Sequence, residues 1–422
     1  MALMKRVQIL AVGSELLTPF YQDTNSLYLT QRLNDLGLDV TVKTIAPDEH
    51  DALFLQVKIA LVQAELVLVT GGLGPTEDDR TREVLAEVLG KKLVLQDELL
   101  LRIQERFSRR GLTMPASNNK QALVPEGAEV LTNDFGTAPG LWLNTGKNIT
   151  VLLPGPPHEM KPMFENQVWP RLQQFRTGYR SRRVVKLTGL TESMVEDLIG
   201  DLYPKDNSFQ VTTLASPGQI EVHLTSFAAS SAEEADAALK RVGFAFLDRL
   251  GDSVFSASGE DLEAVVGRLL KEKRQTLATA ESCTGGLLAH RLTNVSGSSD
   301  YFLQGMVVYS NEAKIDDLGI SAENIRKFGA VSSQVAKAMA AAVRAKARAN
   351  YGLGITGITG PTGGTEDKPV GLVFIALAWD KSTDVVKTQF LGNREQVKFQ
   401  ASQKALDMLR RYLQGTYRTE TG

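Results

Sequence analysis

Short apolar runs and stretches of helical periodicity alternate over residues 6–170. Arg6–Val12 (RVQILAV), Val40–Ile45 and Leu66–Thr70 (LVLVT) predict buried strands, and Ile149–Leu153 predicts another that ends in a Pro-Gly-Pro-Pro turn. Between them, apolar positions 27, 29, 33 and 36 predict a helix over Asn25–Leu36, and His50–Gln63 predicts a second. Strand and helix in alternation imply a parallel sheet covered on both faces. The rhythm changes at Phe175–Arg183, where polar and basic residues take over. A small α+β unit follows: a strand at Val184–Thr188, a helix at Glu192–Leu202, a hairpin of Phe209–Leu214 and Gln219–Thr225, and a helix over Ala232–Leu250. Gly251–Asp261 reads as a linker. A third unit then opens with a helix at Leu262–Lys273 and a strand at Thr276–Ala280, followed by a helix at Leu287–Asn294. Its later strands are predicted at Tyr301–Tyr309, Tyr351–Ile355, Gly371–Trp379 and Val385–Leu391, with a closing helix from Arg394 to Leu413. The expected organisation is three domains, 1–175, 176–256 and 257–415.

Composition narrows the class without changing this layout. The chain of 422 residues is 43% hydrophobic and 23% charged, as globular domains are. Its formal net charge of −2 offers no global field for nucleic acid or an acidic membrane. The one basic run, Arg180, Arg182 and Arg183, reads as a solvated inter-domain edge. Cys283 is the single cysteine, so no intrachain disulfide is possible, and no apolar stretch approaches a membrane span. The expectation is a cytoplasmic protein, with a homodimer as the default assembly.

The C-terminal unit carries the sharper chemistry. Ala-Glu-Ser-Cys-Thr-Gly-Gly, residues 280–286, joins an apolar strand to an amphipathic helix. A serine held there could use the N–H groups of Cys283, Thr284 and Gly285 as an oxyanion hole, and Gly286 admits close approach. The alternative is that Ser282 or Thr284 caps the helix. Tyr-Ser-Asn-Glu-Ala-Lys, residues 309–314, brings Lys314 to the start of another helix. Lys314 could serve as a base if burial lowers its pKa, with Tyr309 orienting it, or could sit in solvent. Residues 354–364 form a Gly-rich loop tethered at both ends, and Arg394 at a helix start could hold a phosphate or face water. Cys283 is the rival nucleophile.

At the other end, Thr-Gly-Gly-Leu-Gly-Pro-Thr-Glu-Asp-Asp-Arg-Thr, residues 70–81, directly follows the strand Leu66–Thr70. A Gly-rich turn between strand and helix suits an anion, and Asp78 with Asp79 suits a hydrated divalent cation on phosphate oxygens. Glu15, Asp23 and Asn25 follow the first strand, Glu159 follows the Pro-Gly-Pro-Pro turn, and Asn133–Gly140 adds a small-residue loop. Together they converge on one sheet edge.

The strings ESCTGG, VVYSNEAK, GITGPTGG with KPVG, and GNREQV resemble the C-terminal domain of the CinA family, a nicotinamide-nucleotide amidase. TGGLGPTEDD, NDFGTAPG and PGPPHEM resemble the family's N-terminal domain, related to the molybdopterin-binding MoaB and MogA type. The resemblance implies an α/β fold: a MoaB/MogA-like parallel-sheet sandwich, a small α+β connecting domain, and an α/β amidase domain. It implies deamidation of nicotinamide mononucleotide to nicotinic acid mononucleotide and ammonia, with Ser282 as nucleophile assisted by Tyr309 and Lys314. Cys283, Thr284, Gly285, Gly286, Asn311, Gly357, Gly360 and Arg394 would bind substrate, without a cofactor. For the N-terminal domain it implies a metal-dependent ADP-ribose pyrophosphatase. Gly71, Gly72, Gly74, Thr76, Asn25, Gly136 and Thr137 would hold the nucleotide, and Asp78, Asp79, Glu15, Asp23 and Glu159 a Mg²⁺ or Co²⁺ ion. The alternative is an amidase whose N-terminal domain only binds a nucleotide or molybdopterin. Small nucleotides are the expected partners, with no nucleic acid and no membrane.

Overall fold

The computed structural model describes residues 6–205, 208–228, 230–380 and 382–418. The chain divides into two compact units, one running to Arg180 with Phe227–Ala235, the other built on Ser181–Ser226 and the chain from Asp236 onward.

In the first unit the strands are β1 (Val7–Val12), β2 (Val40–Ala46), β3 (Leu66–Thr70), β4 (Leu93–Leu95), β5 (Leu123–Pro125), β6 (Glu129–Leu131), β7 (Gly140–Asn144) and β8 (Ile149–Leu153). Six of them form one sheet in the order β2-β1-β3-β8-β7-β6, while β4 and β5 pair separately. Alternate residues of the buried strands feed opposite faces. Leu10, Val12, Val67 and Val69 pack against helices His50–Gln63, Thr81–Val88 and Asp97–Ser108. Val7, Ile9, Leu66 and Leu68 pack against helices Thr24–Asp35 and Pro157–Met163. The four strands β2, β1, β3 and β8 form the expected parallel sheet, and β7 extends it by pairing antiparallel with both β8 and β6. The reason is local: only residues 145–148 separate β7 from β8, too short a connection for a parallel crossover.

In the second unit, β9 (Tyr179–Leu187), β10 (Phe209–Ser216), β11 (Gln219–Ala228) and β12 (Val254–Ser256) form a sheet in the order β10-β11-β9-β12. Helices Glu192–Ile199 and Ala232–Leu250 supply Val195, Ile199, Leu239 and Phe246 to its core. The basic run lies within β9, with Arg180 Nη2 2.6 Å from Asp39 Oδ1. One expectation changes here. The segment expected as a linker contains β12, which pairs antiparallel with β9.

The remaining sheet has β13 (Leu277–Glu281), β14 (Phe302–Val307), β15 (Tyr351–Gly357), β16 (Leu372–Trp379) and β17 (Ser382–Gln389) in the order β14-β13-β15-β16-β17. The first three strands are parallel and the last two antiparallel. Helices Leu262–Lys273, Leu287–Thr293 and Arg394–Gln414 share one core with the sheet. Helix Ser333–Ala347 covers the other face, and there β15 can approach only as glycine: a Cβ on Gly352 would lie 2.1 Å from the Ala340 carbonyl oxygen. No helix among the described residues is long and apolar enough to cross a membrane.

Candidate functional site

The turn after β13 is built from three side chains and two glycines. Gly285 and Gly286 adopt φ of +62° and +93°, which lets the chain reverse into helix Leu287–Thr293. The helix start is satisfied by Glu281, the first residue of the ESCTGG string, to which sequence alone assigns no role. Its wholly buried carboxylate accepts from the N–H groups of Gly286 (3.1 Å), Leu288 (3.0 Å) and Ala289 (2.8 Å). Neither Ser282 nor Thr284 caps this helix. The serine hydroxyl is therefore left for other work.

It faces Lys314. Nζ lies 3.1 Å from Ser282 Oγ, and both residues are buried. Helix Asn311–Asp316, capped by the Ser310 side chain, carries Lys314. The same nitrogen donates to the carbonyls of Val308 (2.9 Å), Tyr309 (3.0 Å) and Ser310 (3.3 Å). An ammonium has three protons for these four oxygens. A neutral amine keeps two donors for carbonyls and presents its lone pair to the serine proton. Burial pushes the Lys314 pKa below the ordinary lysine value, against the opposing pull of Cys283 and Glu312.

Cys283 points into the apolar core, and burial pushes its thiol up to about 12. A thiol held neutral there is a poor nucleophile. Gly285 N–H donates to the Ser282 carbonyl and Gly286 N–H to Glu281, so the expected oxyanion amides narrow to those of Cys283 and Thr284. Beside them, Thr284 Oγ1 is buried without a partner. Tyr309 joins the cluster through its carbonyl, not through its ring as expected. The ring is exposed, and its hydroxyl accepts from Arg394 Nη2 at 3.1 Å. Arg394 Nη1 donates to the Gly360 carbonyl at 2.9 Å, so this arginine links the Gly-rich loop to the tyrosine. Asn311 is exposed at the start of the Lys314 helix. Gly357 is required by packing, since a Cβ there would meet the Leu372 carbonyl oxygen at 2.6 Å.

The first unit gathers its candidates at the carboxyl ends of β1, β3 and β8. Glu15, Gly71, Gly72, Gly74, Thr76, Asp78, Asp79, Thr137 and Glu159 line one cavity of about 670 Å³. Gly71 and Gly72 take φ of +94° and +65°, and a Cβ on Gly71 would sit 2.1 Å from the Val12 carbonyl oxygen. Side chains missed in the sequence hold the carbonyls of this turn. Thr81 Oγ1 donates to Gly71, Arg82 to Leu73 and Gly74, and Lys120 to Thr76 and Asp79.

Other candidates have different work. Asp23 caps helix Thr24–Asp35 by accepting from Ser26 N–H at 2.9 Å, and it is not in the cavity wall. Asn25 Nδ2 donates to the Gly155 carbonyl at 2.7 Å, steadying the Pro-Gly-Pro-Pro turn. Gly136 leaves room for Glu159, whose carboxylate accepts from Asn133 at 2.7 Å. Asp79 is bound by the N–H and hydroxyl of Thr76. Among the described residues no three His, Cys, Asp or Glu side chains converge as a metal cage. The expected carboxylate set does not by itself fit a divalent ion.

Family models match three successive segments. Residues 8–174 match the "Probable molybdopterin binding domain", 182–256 the "Damage-inducible protein CinA KH domain" and 259–413 the "CinA C-terminal domain". The fold and its two sites thus define a multidomain α/β protein with a molybdopterin-binding-type domain ahead of a domain built around a buried Ser–Lys pair. Over 411 residues, 96% of this chain and 99% of the relative, it is 47% identical to the CinA-like protein of Koribacter versatilis. It is 43% identical to that of Solibacter usitatus over 413 residues, 98% of this chain and 99% of the relative. Among solved structures, the competence/damage inducible protein CihA from Agrobacterium tumefaciens is 38% identical, covering 36% of this chain and 96% of that one, with a TM-score of 0.35. The chain belongs to the CinA family.

Replacing Glu281 by Gln puts an amide nitrogen among N–H donors. The expected loss is about 1–3 kcal/mol, measured as a lower denaturation midpoint; an unchanged midpoint would contradict the capping role.

Proposed function

We propose that the C-terminal part of the chain deamidates nicotinamide mononucleotide to nicotinic acid mononucleotide and ammonia. The observation that carries this reading is the buried 3.1 Å contact between Ser282 Oγ and Lys314 Nζ. In the proposed cycle Ser282 Oγ bonds to the carboxamide carbon as its proton passes to Lys314. The oxyanion is held by the N–H groups of Cys283 and Thr284. Collapse breaks the C–N bond, and Lys314 returns the proton to the leaving ammonia. Water, deprotonated by the same amine, then cleaves the acyl-serine ester and restores the hydroxyl. Arg394 spends two of its five N–H groups on Gly360 and Tyr309, leaving the others for the nucleotide phosphate.

For the first unit we propose cleavage of ADP-ribose to AMP and ribose 5-phosphate. The support is a cavity walled by a Gly-rich turn and by the carboxylates Glu15, Asp78 and Glu159. A Mg²⁺ or Co²⁺ ion would need the substrate's phosphate oxygens as part of its ligand set. The second reading is a domain that binds a nucleotide or molybdopterin without cleaving it, which the missing carboxylate cage favours. Nucleic acid is not a partner in either reading. Between residues 182 and 256 the glycines are 189, 200, 218, 243 and 251, so the Gly-x-x-Gly loop by which KH modules clamp a nucleic-acid backbone is missing.

With nicotinamide mononucleotide as substrate, Ser282→Ala is expected to abolish ammonia release while Cys283→Ala keeps most of it. The opposite pattern would assign the chemistry to the thiol. Because the free amine is the base and its pKa is lowered, kcat/KM should rise with pH through a value below the ordinary lysine 10.5. A rate independent of pH across that range would remove Lys314 from the role. Incubation with ADP-ribose and Mg²⁺ or Co²⁺ should yield AMP; its absence would select the binding-only reading of the first unit.

A further inference from the structure

The Gly-rich turn of the first unit is polarised. On one side its carbonyls are bound by protein donors, chiefly Arg82 and Lys120, with Gln121 Nε2 adding a bond to Leu73. On the other, the N–H groups of Gly72, Leu73 and Gly74 make no hydrogen bond to a described residue, and the turn lines the cavity. Arg82 is wholly buried, yet among the described residues it has no ion pair with a carboxylate, and its Nε has no hydrogen-bond partner. Asp79 and Glu83 act on it only from further away: the Asp79 carboxylate is bound by Thr76, and Glu83 pairs with Lys120 at 3.7 Å. A buried cation without a paired anion is costly. Three unpartnered amides above it have the same electrical demand.

We propose that Arg82, assisted by Lys120, is the fixed positive charge of this site: it holds the turn with its amides toward the cavity, and a phosphate group of the ligand is its missing counter-ion. Arg82 is thus a positioning residue whose charge reaches the ligand through the turn. The proposal builds on the nucleotide reading of the first unit but does not need cleavage. It also separates the work of the glycines from that of the cations. Gly71 and Gly72 allow the turn's shape, whereas Arg82 and Lys120 fix its polarity.

The test is calorimetric titration of the full chain with inorganic pyrophosphate in metal-free buffer, at two salt concentrations. The wild type should bind, more weakly at higher salt. Arg82→Met should weaken binding by about tenfold or more, a loss of ~1.4 kcal/mol, while Arg82→Lys, which keeps the charge, should recover most of it. A residue that only packs the turn would not distinguish Lys from Met in this way. Wild-type affinity in Arg82→Met, equal losses in the two variants, or no binding by the wild type would overturn the proposal. If Arg82→Met does not fold, Lys120→Met decides: weaker binding at an unchanged melting point supports the proposal, and unchanged binding overturns it. ADP-ribose turnover assayed in parallel keeps the two ideas apart. Pyrophosphate binding without AMP formation retires the pyrophosphatase reading and leaves this one standing.

Discussion

Where a buried strand hands the chain to a helix, backbone N–H and C=O groups lose their regular partners and must find others. Both candidate sites of this protein are solutions to that one constraint, and the solutions are opposite. After β13 an anionic side chain, Glu281, turns inward and takes the helix amides. After β3 cationic side chains, Arg82 and Lys120, take the carbonyls, while the amides of Gly72, Leu73 and Gly74, in a turn that lines a cavity, bond to no described residue. The first arrangement frees a serine hydroxyl for chemistry. The second frees a row of donors for an anion.

The serine is only half of the buried pair. A lysine side chain surrounded by three carbonyls and a hydroxyl would be easy to charge in water, but its burial shifts the balance toward the neutral amine. The neighbouring cysteine experiences the same burial with the reverse consequence, because for a thiol the charged form is the reactive one. Burial therefore favours the neutral amine of Lys314 and the neutral thiol of Cys283 alike. Arg394, bridging Tyr309 and Gly360, ties the segment between β14 and the lysine's helix to the Gly-rich loop.

Much of the fold was legible in hydrophobic periodicity. His50–Gln63, Leu66–Thr70, Ile149–Leu153, Ala232–Leu250 and Leu262–Lys273 form the elements their patterns predict, with the same boundaries. The reading failed where pairing partners decide the structure. Residues 254–256 look like a linker because three residues carry no period, and they become β12 only by pairing with β9. The antiparallel direction of β7 follows from its short connection to β8, which a strand's own composition does not encode. Helix Ser333–Ala347 was missed although its buried residues Val335, Ala336, Met339, Ala340 and Val343 recur at helical spacing.

By itself, the sequence determined where the candidate groups fall along the chain: Ser282 in a strand-to-helix turn, Lys314 at a helix start, and glycines such as Gly71 and Gly352, where a close backbone approach leaves no room for a side chain. Those are local properties, set by bond geometry and spacing. Tertiary structure decided what each residue is for. It turned Tyr309 outward and used its carbonyl, made Asp23 a helix cap, and tied Asp79 to Thr76. It also recruited Arg82 and Lys120, which lie outside the quoted motifs, and gave Glu281 of ESCTGG its capping role. The physical reason is that burial and hydrogen-bond partnership are properties of the environment. A carboxylate or guanidinium acquires its role only when the rest of the chain has excluded water around it.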